Sequence, residues 1–212
     1  MAVLTVNAPE LSKALTNAEA WLPAKSAVPV ALVVASYDGL TITVTDHYTA
    51  GESKCPAVEY RGSDEAVQIR REDLVALAAR ARKDGTKKVL SRVTVETDRG
   101  VIVHGAIEDE RAEVVTALAV PGPFREEWTV LADMFATAAS DAAPFPDRVM
   151  VAPAYLAMFN KVRPDASGRG VDLLTCPING AIFGKVGPNF RGLVMVLDSG
   201  KNEAALGEGG LW

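Results

Sequence analysis

The sequence predicts an α+β fold in which antiparallel sheets are built from one unit of strand, helix and three strands, used three times. Three observations carry that prediction. The opening stretch Leu4-Thr-Val-Asn-Ala-Pro-Glu-Leu11 returns as Val67-Gln-Ile-Arg-Arg-Glu-Asp-Leu74 and as Val149-Met-Val-Ala-Pro-Ala-Tyr-Leu156. In each copy the apolar residues alternate (Leu4 and Val6, Val67 and Ile69, Val149 and Val151), as in a strand with one buried face, and a turn then leads into a helix opening on a shared Leu. Behind each helix come two alternating strands joined at a turn, and then a closing strand.

The first helix is expected over about Pro9 to Leu22. Pro and Glu suit its N-terminus, Leu11, Ala14, Leu15, Ala18 and Leu22 form its buried stripe, and Pro23 ends it. A hairpin follows, Val30 to Tyr37 and Leu40 to Asp46 around Asp38-Gly39, a strong local turn signal. Glu52 to Tyr60 closes the unit. The second helix, about Glu72 to Lys83, places Leu74, Leu77, Ala78 and Ala81 on one face; Val89 to Asp98, Val101 to Ile107 and Arg111 to Val120 are its strands. From Pro121 to Pro146 the repeat lapses: Pro121-Gly-Pro-Phe124 reads as a linker, and Arg125 to Ser140 as a helix with Trp128, Leu131, Phe135 and Ala138 on its apolar side. The third unit has a helix carrying Leu156, Phe159, Lys161 and Arg163, a loop over Pro164 to Gly170, and strands at Val171 to Cys176, Ala181 to Val186 and Phe190 to Asp198. Ser199 to Trp212, rich in Gly, Ala and Glu, is expected to be a flexible tail.

Composition narrows the class. The 212 residues, 49% hydrophobic and 23% charged, can bury a substantial core. Every apolar run is interrupted before the roughly 18 residues of a membrane helix, and no basic segment followed by an apolar one opens the chain, so a cytoplasmic location is expected. Cys55 and Cys176 lie in different units, belong to no metal-ligand spacing, and read as reduced thiols. A net charge of −5 argues against a uniformly basic coat for nucleic acid but leaves room for a local basic surface.

Motifs for catalysis are missing: no phosphate loop, dinucleotide fingerprint, zinc pattern or nucleophile elbow occurs. Asp46-His47 reads as a polar strand end, and His104 as a packed or half-exposed strand residue. The basic side of the second helix, with Arg71, Arg80, Arg82 and Lys83 and then Lys87 and Lys88, has two readings. One is a solvated helix end with cations favoured by the macrodipole, the other a phosphate-contacting surface. Leu211-Trp212 reads either as a frayed end or as an anchor for a partner's pocket.

A unit of strand, helix and three strands used twice per domain resembles the DNA sliding clamp fold, in which helices lie on one face of antiparallel sheets. The similarity to bacterial DNA polymerase III beta subunits runs in order through Leu4-Thr-Val with Leu11 to Leu15, Val28-Pro29, Asp38-Gly39 with Leu40-Thr-Ile-Thr-Val-Thr-Asp46, Arg70 to Ala78, and Leu118-Ala-Val-Pro-Gly-Pro-Phe124 before Trp128. Asp172 to Phe183 is similar to the family's late hairpin and Arg191 to Leu197 to its last strand. The resemblance implies a shortened, divergent clamp with a two-unit domain over residues 1–122, an incomplete second domain over 123–198 and a tail over 199–212. It further implies a homo-oligomer that holds duplex DNA without sequence preference and tethers a polymerase or another replication enzyme. Helix positions matching the lining of a clamp's central hole are Lys13, Arg71, Arg80, Arg82, Lys83, Lys161 and Arg163. Such a protein needs no catalytic group, cofactor or metal. Three half-domain units stand where a two-domain clamp has four, so the alternative implication is a non-encircling clamp-fold module or regulator of the replication machinery, for which Leu211 and Trp212 are the partner-binding candidates.

Overall fold

The computed structural model describes residues 1–26, 28–46, 48–85, 92–97, 99–106, 115–120, 125–140, 151–163, 170–175 and 181–195. The first unit comprises β1 (Ala2–Asn7), α1 (Ala8–Trp21), β2 (Val30–Ser36), β3 (Gly39–Thr45) and β4 (Thr49–Gly62). The second comprises β5 (Glu65–Arg70), α2 (Arg71–Gly85), β6 (Arg92–Thr97), β7 (Gly100–Ala106) and β8 (Val115–Leu118). Then come α3 (Arg125–Ser140), α4 (Pro153–Phe159), β9 (Asp172–Thr175), β10 (Ile182–Lys185) and β11 (Phe190–Val194). Val151, expected to end the third unit's opening strand, is not in a strand, and the residues before it lie outside those described.

All pairings are antiparallel, and the path runs β5-β2-β3-β4-β1-β6-β7-β8. Its two ends meet at an Ile69–Ala119 bridge, where the Val120 N–H donates to the Gln68 carbonyl at 2.8 Å. The sheet thus comes nearly full circle around two helices. Alternation decides what faces inward: Leu4 and Val6, Ala31 and Val33, Ile42 and Val44, Val67 and Ile69, and Val93 and Val95 all join one core with Leu11, Leu15, Ala18, Leu74 and Leu77. The hairpin between β2 and β3 turns on Tyr37-Asp38, one residue earlier than its sequence signal, so that Gly39 opens β3. Its φ of +130° and the 2.2 Å that would separate a Cβ from the Cys55 carbonyl oxygen exclude other residues there.

The third unit joins the first through the long strand β4. Residues Ala50 to Ser53 pair with β3 on one side and with β11 on the other, and β10 and β9 continue the sheet outward. The edge of β11 is therefore covered within the chain. Gly51 and Gly192 face each other across this seam, and the Trp21 indole lies on both; a Cβ at Gly192 would stand 2.4 Å from its ring. Trp21 also meets Phe159 edge-on at 4.8 Å between centroids and Phe190 at 5.3 Å.

Helices α1, α2 and α4 lie on the inner face of the sheets. Helix α3 lies on the outer face: Trp128 packs with Val28 and Val30 near β2, and Met134, Phe135 and Ala138 pack with Ala50, Phe183 and Leu193 of β4, β10 and β11. It spans the seam from outside as Trp21 does from inside. Arg191 fastens it. Its guanidinium forms two bonds to Glu52, opposite it in register, at 2.8 and 3.0 Å, lies over the Phe135 ring at 4.8 Å, and donates to the Phe135 carbonyl at 3.3 Å. The Glu52 side chain keeps only 9% exposure and Arg191 24%. Replacing Arg191 by Met strands that carboxylate with Lys54 as its remaining partner at 3.6 Å, and is expected to cost about 2–3 kcal/mol. Arg191→Met with Glu52→Gln should recover part of the loss, a coupling that a double-mutant cycle in urea denaturation measures.

Two helix expectations need correction. Helix α4 ends at Phe159, so Lys161 and Arg163 follow it in turns in which the N–H groups of Lys161 and Val162 donate to the carbonyls three residues back. Leu156 is 39% exposed, because α4 meets the core through Tyr155, Met158, Phe159 and, beyond its end, Val162. On α1, burial extends beyond the stripe of Leu11, Ala14, Leu15, Ala18 and Leu22 to Asn17, which is 4% exposed.

Candidate nucleic-acid interface

The site grows from the seam between α1 and α2. On α2 the core stripe of Leu74, Leu77, Ala78 and Ala81 is buried. Arg71 and Arg82, eleven positions apart, stand almost in line along the helix and flank that stripe on one side. Lys83 points outward and is exposed, while Arg80 is half-buried. Acidic Glu72 and Asp73 occupy the first turn and Arg82 and Lys83 the last, the arrangement the macrodipole favours. Lys13 on α1 is half-buried and pairs with Glu10 at 3.2 Å.

The structure draws three of the expected cations into one place. Arg71, Arg82 and Lys161 line a cleft of about 350 Å³ with Thr16, Glu19, Leu22 and Pro23, at the C-terminal end of α1. Arg71 is held by its Nε, which donates to the Leu22 carbonyl at 3.2 Å. Arg82 Nη1 donates to Glu19 Oε2 at 2.8 Å. Arg163 stays outside the cleft, but its backbone positions the turn. Asn17 Oδ1 accepts from the Arg163 N–H at 2.8 Å, and Asn17 Nδ2 donates to the Arg163 carbonyl at 3.3 Å. A buried side chain of α1 thereby fixes the segment that delivers Lys161. Lys13, Arg80, Lys83 and Arg163 lie outside the lining of this cleft. The partner candidates Leu211 and Trp212, like Lys87 and Lys88, fall outside the described residues.

Glu19 and Asn17 carry no signal in the sequence, because each acts on a residue distant in the chain, and Thr16 carries none because it enters only by lining the cleft. The acid–histidine pair resolves only in part. Asp46 Oδ1 accepts from the Tyr48 N–H at 3.0 Å and from the Thr49 N–H and hydroxyl at 2.7 and 2.9 Å, capping a turn; His47 lies outside the described residues. His104 is a half-exposed strand residue with Nε2 3.1 Å from Glu96 Oε1 but off hydrogen-bond geometry. Cys55 is a free thiol, and burial, aided by the Glu10 charge, pushes its pKa up to about 12, so it stays protonated at neutral pH. Among the described residues no helix is long and apolar enough to cross a membrane.

No family model and no curated protein sequence matches the chain. Solved structures do. The DNA polymerase III beta subunit of Thermotoga maritima matches with a TM-score of 0.66 at 11% identity, covering 94% of this chain and 65% of that one. A putative DNA polymerase III beta subunit from Eubacterium rectale gives 0.62 at 12%, covering 98% and 68%, and the DNA polymerase sliding clamp of Bacillus subtilis 0.59 at 14%, covering 93% and 65%. The chain therefore shares the fold of the bacterial DNA polymerase III beta subunits, over nearly its whole length and about 65% of theirs.

Proposed function

We propose that the chain is a clamp-like processivity factor. It holds duplex DNA without sequence preference on the face formed by α1, α2 and the turn after α4, and tethers a DNA polymerase or another DNA enzyme. The observation that supports this most directly is the convergence of Arg71, Arg82 and Lys161 in one cleft on the helical face of a clamp-fold chain. Lys13, Arg80, Lys83 and Arg163 extend that surface as further phosphate contacts. No bond is made or broken in this function. Cations displace counterions from the phosphates, and base edges are not read, so affinity falls steeply with salt and the protein remains free to slide. A net acidic chain disfavours contact elsewhere on its surface.

We divide the chain into a two-unit domain over residues 1–122 and a second, incomplete one over 123–198, and propose that a ring forms from several copies of the chain. The test is solution mass by light scattering at several protein concentrations, with circular and with linear duplex. A closed oligomer retained on circular DNA and lost from linear DNA is the expected result. A monomer indifferent to DNA topology would favour the second reading, a non-encircling clamp-fold module that regulates replication proteins through protein contacts. One feature supports that reading: where a fourth half-unit would be expected, α3 folds onto the outer face of the chain's own sheet.

A further inference from the structure

We infer that the cleft at the end of α1 seats one backbone phosphate of duplex DNA and that Glu19 is its internal substitute, a carboxylate that fills the seat until a phosphate displaces it. The inference rests on the duplex-binding reading above. Three features of the cleft carry it. Cations from one helix and a turn, Arg71 and Arg82 of α2 and Lys161 after α4, surround a single acid, Glu19 of α1. That acid sits in the last turn of α1, where the helix's own partial negative charge disfavours a carboxylate and where no basic residue of α1 offsets it. It is held instead by Arg82 of α2, through one contact at 2.8 Å. The third feature is Thr16, which lines the cleft and whose hydroxyl is buried with no hydrogen-bond partner among the described residues.

The pair is built to exchange. Side-chain exposures of 35% for Arg82 and 24% for Glu19 leave it in contact with water, where an ion pair holds weakly. A phosphate brings more acceptor oxygens to the same guanidinium and can engage Lys161 together with it, and a turn of Thr16 out of its buried position adds a hydroxyl. Glu19 then turns out to solvent. Competition of this kind weakens each contact and keeps binding loose, as sliding requires.

The test measures duplex binding by fluorescence anisotropy across a salt series, for the wild type and for Glu19→Gln, Arg82→Gln and the double variant, with thermal melts as a check of folding. Glu19→Gln should bind about three- to tenfold tighter at low salt, with a salt dependence steeper by about one. The gain should vanish when Arg82 is also replaced. Arg82→Lys, which keeps the charge and loses the planar fork, should retain part of it and serves if Arg82→Gln melts early. If Arg82→Gln weakens binding but Glu19→Gln leaves it unchanged, or tightens it equally without Arg82, the seat is overturned while duplex binding stands. If none of the variants alters binding, or the wild type does not bind duplex, both fall.

Discussion

Trp21→Ala should lower the unfolding free energy by about 4 kcal/mol, read as a reduced midpoint in urea denaturation. Trp21 is wholly buried, touches Phe159 and Phe190, and spans the glycine pair Gly51 and Gly192 where the strands of the third unit join the first. Removing a large aromatic side chain from such a place leaves a cavity, because neither strand can move inward without breaking the β4–β11 ladder. One term opposes the loss. The indole N–H has no hydrogen-bond partner among the described residues, and deleting it removes a buried donor that costs about 1–3 kcal/mol. Trp21→Phe should therefore cost far less than the alanine variant. Gly192→Ala should also destabilise, from the opposite side of the same contact. A loss under 1 kcal/mol for Trp21→Ala would mean that the seam is held elsewhere, with α3 and the Glu52–Arg191 pair as the alternative.

What could be read in advance followed from how local each feature is. The apolar alternation of Leu4 and Val6 or of Val93 and Val95, and the helical spacing of Leu74, Leu77, Ala78 and Ala81, are properties of neighbouring residues, and the corresponding elements form where expected. The Trp128, Leu131, Phe135 and Ala138 stripe likewise identified α3 as a helix, but a stripe does not say which sheet face it will cover. That depended on Ala50, Phe183 and Leu193 pointing outward from three strands brought side by side only by the β4–β11 pairing. Leu156 and Phe159 satisfy the same helical rule and yet only Phe159 is buried, since α4 meets the core through Tyr155, Met158 and Phe159 and leaves Leu156 outside that contact. In the candidate site, α2's cations stood out because they cluster in sequence. The cleft did not, because it needs Lys161 to be carried to α1 by the bonds between Asn17 and the Arg163 backbone, and Arg82 to meet Glu19 across two helices.

Charge reversal at the end of α2, Arg80→Glu with Arg82→Glu and Lys83→Glu, should weaken duplex binding by a hundredfold or more at about 0.1 M salt and reduce the salt slope by about three. Each substitution both withdraws a phosphate contact and adds a repulsive charge to the helical face. Stability must be separated from this effect. The same changes place acids at a helix C-terminus, at roughly 0.3–1 kcal/mol each, and put a carboxylate beside Glu19. A loss of about 1–3 kcal/mol is expected from these terms together, too little to unfold a domain whose core face of Leu74, Leu77, Ala78 and Ala81 is untouched. Neutral Gln at the same three positions removes the repulsion and should give a smaller loss of affinity with the same direction in the salt slope. If the reversed variant melts like the Gln variant and both bind duplex as the wild type does, then α2's cations are solvated helix-end charges favoured by the dipole. In that case the clamp fold serves protein contacts rather than DNA.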